Sequence, residues 1–519
     1  MNTTKLFFMA ALVVIFAACS NDDDELIQQP AKMITITAQL APKSESASTR
    51  AVSESGDNIV VDWALNEKLK IIGDGGEEAT ANIVAVDASG VATISFDIAN
   101  TAKDRDCTII YPYAAAVTEK NGVYTANPIL SQNGTLNASL DVRIGEGHIT
   151  LGDPPTLDVT TQPAAQFSIF KFTIKNAAGD ANVDVKPFNI NIGAQTYVIT
   201  PTSATNTLYV ALPDVSNRKV YFFATGDSKT YIFSKANVSF DKGKYYQSTL
   251  KMTKADGLLP GIFTINDSGR KVYFSHGNLQ ATTTDNGSAW TWSFATNQWD
   301  YIGAAKANTT INGNGSVSAA GTVDLFGWST AATYHGIHNS ENSNSTTNDY
   351  SGDFVDWGNT IGGGWRTLSN GEWVYLFNTR IGSTVNGTPP ARYTLATINT
   401  NKTGVNGVIL FPDGQTFASS EFTTLGPIND TSTSNWGTKC TADQWTALAA
   451  KGCVFLPAAG YRNGTSVSGV GAHGYYWSSE KYGDTGASGL SFENELNANA
   501  SSNDNRYYGY SVRLVYDAN

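Results

Sequence analysis

Residues 474–515 read GYYWSSEKYGDTGASGLSFENELNANASSNDNRYYGYSVRLV, and their interpretation decides the second half of the chain. Tyr475, Tyr476, Trp477, Ser478 and Ser479 open an apolar frame, Leu490 and Phe492 read as buried strand positions, and Tyr510 to Val515 closes as a period-two terminal strand. Between these anchors stand Glu480, Tyr482, Asp484, Glu493, Asn494, Glu495, Asn497, Asn499, Asn503, Asp504, Asn505, Tyr507 and Tyr508. So polar a set is not core material. Tyrosine gives large contact area at low rotamer cost, and asparagine gives adaptable donors and acceptors. These residues are therefore the candidate ligand-binding set, carried on a C-terminal polar loop. The plain alternative is an Asn-rich surface loop with no ligand.

Working outward, the composition is rich in Gly, Thr, Ser, Asn, Tyr and Phe, which favours β-sheets joined by turns. The 519 residues suffice for about three domains. A net charge of −12 without basic clusters argues against nucleic acid as a partner. Gly362-Gly363-Gly364 is followed by Trp365 and not by a Lys-Ser/Thr pair, so it is no phosphate loop.

The N-terminus carries an address. Lys5 precedes an apolar run from Leu6 to Ala18 that is short for a membrane span and ends in small residues, as a secretory signal does over 1–18. Ala17-Ala18-Cys19-Ser20 resembles a bacterial lipobox, with Phe16 where Leu is usual, and implies acylation of Cys19 and an outer-membrane lipid anchor. Ordinary signal cleavage is the alternative. The acidic run Asp22-Asp23-Asp24-Glu25 within 19–32 resembles the surface-export signal of Bacteroidetes lipoproteins, which implies a surface-exposed protein.

Residues 33–150 and 151–253 read as tandem β-sandwiches. Met33-Ile34-Thr35-Ile36-Thr37, Phe170-Lys171-Phe172-Thr173-Ile174 and Tyr231-Ile232-Phe233-Ser234 alternate as strands with one wet face. Trp63, Lys70-Ile71-Ile72-Gly73-Asp74, Tyr111-Pro112-Tyr113 and Gly243-Lys244-Tyr245-Tyr246 resemble fimbrillin-type subunits of Bacteroidetes pili. That resemblance implies pilus subunits as partners, joined by strand addition at an open sheet edge, and processing after Arg50 that removes the first strand. An uncleaved surface arginine is the alternative.

After a linker at 254–260, residues 261–519 form a third unit. Ser369-Asn370-Gly371-Glu372 and Thr441-Ala442-Asp443-Gln444 are capping boxes, so short helices are expected after Ser369 and Thr441, with Trp373, Leu376, Phe377, Trp445 and Leu448 facing inward. Asp324-Leu325-Phe326-Gly327-Trp328, Gly364-Trp365-Arg366-Thr367-Leu368, Phe455-Leu456-Pro457-Ala458-Ala459-Gly460-Tyr461-Arg462 and Gly509-Tyr510-Ser511-Val512-Arg513 resemble the Fibrobacter succinogenes major paralogous domain. That domain is similar to the C-type lectin-like fold of formylglycine-generating enzymes and of variable proteins of diversity-generating retroelements. The resemblance implies a lectin-like ligand-binding head whose C-terminal positions vary. The fold class expected overall is mainly β, two fimbrillin-like sandwiches followed by an α+β lectin-like domain.

Catalysis is not expected. Cys453 precedes Val454-Phe455-Leu456 and reads as an inert buried thiol, unlike the reactive pair a formylglycine-generating enzyme needs. A Cys440–Cys453 bridge is disfavoured by a helix between them but stays open. His335 and His338 lie in a Gly/Ser/Asn-rich stretch, and Asp349, Asp353 and Asp356 lack calcium-loop spacing, so neither a metal nor a cofactor is assigned. The function expected is a pilus-related adhesin that binds a host, bacterial or glycan ligand. The alternatives are a structural pilin module and an enzyme acting on glycans or sulfatases.

Overall fold

The computed structural model describes residues 33–43, 52–55, 58–100, 103–312, 316–328, 335–337, 353–400, 404–430, 436–493 and 499–518. Cys19, Arg50, Asn494, Glu495, Asn497, His338 and Asp349 lie outside them. The described chain is mainly β, as its composition requires.

The first seven-stranded sheet is antiparallel throughout, in the order Met33–Leu40, Ala92–Ala99, Glu78–Val86, Lys68–Gly73, Arg105–Tyr111, Arg143–Thr150, Thr156–Ala165. It curls until its two edge strands come side by side. Alternation drives the closure: Ile36, Ala38 and Leu40 face Leu69, Ile71, Ile94, Phe96 and Ile109 inside the curl. The sheet extends past residue 150, because Thr156–Ala165 pairs with Arg143–Thr150 and not with the second sandwich.

Met33–Leu40 is held by hydrogen bonds on one side, along eight register pairs from Met33↔Ala99 to Leu40↔Ala92. Just beyond it, Lys43 turns inward. Its Nζ lies 3.2 Å from Asp141 and 3.7 Å from Glu67, between the rings of Trp63 and Tyr111 at 4.1 and 3.5 Å. Burial pulls the ammonium below the ordinary lysine range, and the two carboxylates oppose that shift.

The second unit is one eight-stranded sheet folded over its own core. One half carries Phe188–Ile192, Gln195–Ile199 and Val215–Gly226, the other Ser168–Asn176, Thr207–Leu212 and Tyr245–Lys254, and Lys229–Phe240 joins them by pairing with Val215–Gly226 and, at Tyr231 and Ile232, with Tyr245–Lys254. Phe170, Phe172, Phe188 and Phe222 fill the space between the halves. Ser131–Gln132, earlier in the chain than the expected boundary, adds to the first half in parallel with Gln195–Ile199.

The expected linker is largely built into structure. Ala255 donates to Thr230 at 2.8 Å, and Leu258–Thr264 is already the first strand of the head. Tyr221, Phe223 and Ile232 of the sandwich pack on Leu258, Ile262, Tyr273 and Ala518 of the head in one apolar cluster. Apolar surface removed from water on both sides favours their staying together.

Among the described residues, the head holds small sheets around three apolar cores. Both capping boxes form with both of their hydrogen bonds, starting helix Asn370–Asn378 at Ser369 and helix Ala442–Ala450 at Thr441. Trp373, Leu376, Phe377, Trp445 and Leu448 are buried, as the spacing predicts. A four-residue helix, Gly358–Ile361, has no capping hydrogen bond from its N-cap residue Trp357 and had no signal in the sequence. Cys107, Cys440 and Cys453 are buried free thiols, and burial pushes Cys440 up to about 12.

Candidate ligand-binding face

The candidate residues do not form one loop. His473–Tyr482, Gly486–Glu493 and Asn499–Asn505 make a three-stranded antiparallel meander. Close approach at the centre depends on Gly489, where a Cβ would stand 2.4 Å from the Tyr476 carbonyl oxygen. One face of the meander packs on helix Asn370–Asn378 through Tyr476, Leu490, Phe492 and Ala500. The other face carries the alternate residues.

The closing segment also differs from the period-two expectation. Tyr510 to Val515 is buried without a break, and ladder pairing begins only at Val515–Asp517. Tyr510, Val512 and Leu514 join one core and Val515 the other, so the segment runs between two apolar masses and has no wet side. Its charged member is held internally: Arg513 donates to Asn278 at 3.2 Å and to Gln298 at 3.1 Å, while its Nε and the Ser511 hydroxyl are buried without a hydrogen-bond partner. Arg462 reaches the Leu325 carbonyl at 3.2 Å, and Arg506 reaches Gly486 at 2.9 Å. Buried guanidiniums bonded to main-chain oxygens pin loops that apolar packing alone would leave loose.

The opposite face is buried where Trp477 and Ala487 enter the second core under Tyr510, and at its margin lies a floor of half-buried tyrosines. Tyr475 stacks on Tyr510 at 4.7 Å, and Tyr510 stacks on the buried Trp477 at 4.2 Å. Tyr461 meets Tyr475 and Tyr508 edge-on at 5.6 Å each, and Tyr508 touches Tyr507 at 4.7 Å. Tyr461, Tyr475, Tyr507 and Tyr508 are half-buried, with their rings packed side by side. Edge-on and stacked contacts of this kind hold rings in fixed positions.

Two carboxylates border the floor. Glu493 accepts from the Tyr475 hydroxyl at 2.7 Å and lies 3.2 Å from His473 Nδ1. Asp504 accepts from the hydroxyls of Tyr510 and of Ser502, the latter at 3.2 Å. Burial lifts the Asp504 carboxyl above the ordinary range, against those hydrogen bonds. Burial and then the Glu493 hydrogen bond push the Tyr475 hydroxyl up. The Tyr475 hydroxyl also lies 3.3 Å from His473 Nδ1, so tyrosine, carboxylate and imidazole share one hydrogen-bonded group.

The structure thus divides the candidate set. Glu493, Asp504 and Tyr508 border or form the floor, with Tyr507 beside it. Glu480, Tyr482 and Asp484 sit exposed at the hairpin tip, Tyr482 with 58 % of its surface open. Asn503 accepts from Ser488 at 2.8 Å, Asn505 donates to Tyr507 at 3.2 Å, and Asn499 is exposed on the third strand. Tyr461, Tyr475 and His473 stand beside them on this face without belonging to the candidate set. Strand alternation on either side of Tyr476 carried the signal for Tyr475, and Tyr461 comes from a distant segment that only folding brings near.

Of the other groups weighed, Asp356 is structural. It accepts from the Gly358 and Thr367 backbone N–H groups at 2.8 and 3.0 Å and so holds two loops together. Among the described residues no group of three or more His, Cys, Asp or Glu is placed to hold a metal ion. No helix among them is long and apolar enough to cross a membrane.

Residues 426–515 match the profile of a domain of unknown function, DUF8237, and so include this face. No curated protein matches the sequence. Among solved structures, the chain is similar to a candidate cell adhesion protein of Bacteroides uniformis at 16% identity and a TM-score of 0.25, over 44% of this chain and 98% of that one. It is similar to a fimbrial protein of Bacteroides ovatus at 9% identity and a TM-score of 0.23, over 94% and 99%. A group B streptococcus pilus 2b backbone protein is similar at 8% identity and a TM-score of 0.16, over 45% and 90%. Likenesses of this size carry no argument about function.

Proposed function

We propose that the protein is a surface-exposed, pilus-related adhesin whose head captures a ligand on the tyrosine floor and the hairpin tip beside it. The observation that carries this reading is the half-buried ring set Tyr461, Tyr475 and Tyr508, held rigid from below by Trp477 and Tyr510 and bordered by Glu493 and Asp504. Rings fixed in advance lose little entropy when something docks on them. The two sandwiches act as stalk, anchored to the outer membrane through Cys19.

Strand addition to further subunits belongs to the same reading. It is supported by the single hydrogen-bonded side of Met33–Leu40, whose loss would uncover the edge of Ala92–Ala99 and the apolar groove above Ile94 and Phe96. N-terminal sequencing of surface protein checks the Arg50 step: a start at Ala51 supports it, and a start at Cys19 in assembled material removes it.

The ligand reading is tested by replacing Tyr482, Tyr507 and Tyr508 with Ala in cells displaying the full chain. Adhesion falls while surface display and pili persist if the face binds. Unchanged adhesion rejects it, and lost pili with a folded head would favour a purely structural module.

A further inference from the structure

We infer that the tyrosine floor takes a cation, the guanidinium of an arginine presented by a partner protein. This deepens the ligand reading above and rests on it. Charge complementarity on a fixed aromatic surface favours this occupant.

Among the described residues, no lysine or arginine is ion-paired with Glu493 or Asp504. Glu493 and Asp504 receive their hydrogen bonds from the neutral hydroxyls of Tyr475, Tyr510 and Ser502. Among the described residues, the basic side chain within ion-pair distance of Glu493 is His473, and none stands at that distance from Asp504. The neighbouring arginines are committed elsewhere: Arg462, Arg506 and Arg513 are buried and donate to carbonyl and amide oxygens inside the head. Half-buried carboxylates without a cation gain more from an incoming positive charge than fully solvated ones do.

Between them lie ring faces, and the Tyr475 and Tyr510 hydroxyls are already donated to Glu493 and Asp504. A hydroxyl already donating to a carboxylate has no proton to offer an anionic ligand, and it leaves the electron-rich ring above it as the attractive surface. Planar guanidinium satisfies both features at once, stacking on a tyrosine face while its N–H groups reach a carboxylate. A carboxylate- or sulfate-bearing sugar would meet Glu493 and Asp504 as like charges.

The test is saturation-transfer NMR on the full chain with three small probes: Nα-acetyl-L-arginine methylamide, N-acetylglucosamine and N-acetylneuraminic acid. The arginine probe is expected to be saturated, and its affinity to fall roughly fivefold in each of Glu493→Gln and Asp504→Asn, the worth of about 1 kcal/mol per pair. Both substitutions keep an acceptor for the tyrosine hydroxyl, so the fold is retained. Asp443→Asn, an exposed charge on another helix of the head, should change nothing. Absence of saturation, indifference to both substitutions, or stronger binding of either sugar overturns the inference. If the arginine probe fails while Tyr508→Ala still lowers adhesion, the ligand class falls and the site stands; if Tyr508→Ala leaves adhesion intact, the site itself falls.

Discussion

Thr196 in the second sandwich donates its backbone N–H to the carbonyl of Gly414 in the head at 2.9 Å, and its hydroxyl reaches Asp413 at 3.0 Å. Gly414 sits at φ +75°, and a Cβ there would stand 2.5 Å from the Ala194 carbonyl oxygen. Asp413 is in turn ion-paired with the buried Arg380 at 3.0 Å. Sandwich and head are therefore joined by a polar lock beside the apolar contact. Gly414→Ala should cost at least about 1–2 kcal/mol from backbone strain alone. Asn tolerates the left-handed region better than Ala, yet it would meet Ala194 just the same. Calorimetry is expected to show head and sandwich melting together in the native chain and separately in both Gly414→Ala and Gly414→Asn. Recovery of joint melting in the Asn variant would assign the effect to strain and not to contact.

The cage around Lys43 makes a second prediction. Its ammonium answers Asp141 and Glu67 from inside the first sheet, and Asp141 keeps only Arg143 if the lysine is lost. Removing one partner of a buried ion pair leaves the other charge short of compensation; Arg143 still answers Asp141 and the Tyr111 hydroxyl still donates to Glu67, so Lys43→Met should destabilise the first unit by roughly 2 kcal/mol, below the cost of a fully orphaned charge. Urea unfolding followed by Trp63 fluorescence reads this. A change smaller than about 1 kcal/mol would mean that solvent already reaches the cage.

Tyr475→Phe keeps the ring stacked on Tyr510 and removes only the hydroxyl that Glu493 accepts. Glu493 is partly open to water, so the loss should be about 1 kcal/mol in head stability. With the phenol gone, His473 becomes the nearest partner of Glu493. Chemical denaturation of the full chain checks the magnitude.

How much of this was legible in the sequence depends on how local each signal is. Ser369 and Thr441 announce their helices because a capping box is a four-residue event, and both form. Met33 to Leu40 announces its strand because alternation is visible within eight residues. The meander was harder to read: its middle strand is buried from Gly486 to Leu490, so hydrophobic alternation is lost where it would have helped. Tyr510 to Val515 misled for the related reason that both its sides are covered. The floor was legible in part. Glu493, Asp504 and Tyr508 stood out by composition, whereas Tyr461 looked like a framework residue and joins the site only by tertiary contact.

Asp324 supplies a pH signature independent of any ligand. Its carboxylate is fully buried, accepting from Asn308 at 2.7 Å and from the Ile302 backbone N–H at 2.7 Å, and burial outweighs these bonds to raise it to about 6. In the unfolded chain the same group titrates near 3.8. Between those values the folded state still holds a proton that the unfolded state has released, so folding stability must fall as pH rises. The contribution is fully present below 3.8 and lost above about 6, and a shift of this size is worth about 3 kcal/mol. Asp324→Asn cannot ionise, and although it loses one acceptor, that loss does not depend on pH. Thermal unfolding of both proteins from pH 3.5 to 7 should therefore show the native chain losing ground against the variant up to about pH 6, after which the curves run parallel. Curves that stay parallel throughout would mean that Asn308 and Ile302 hold the carboxylate ionised over the whole range.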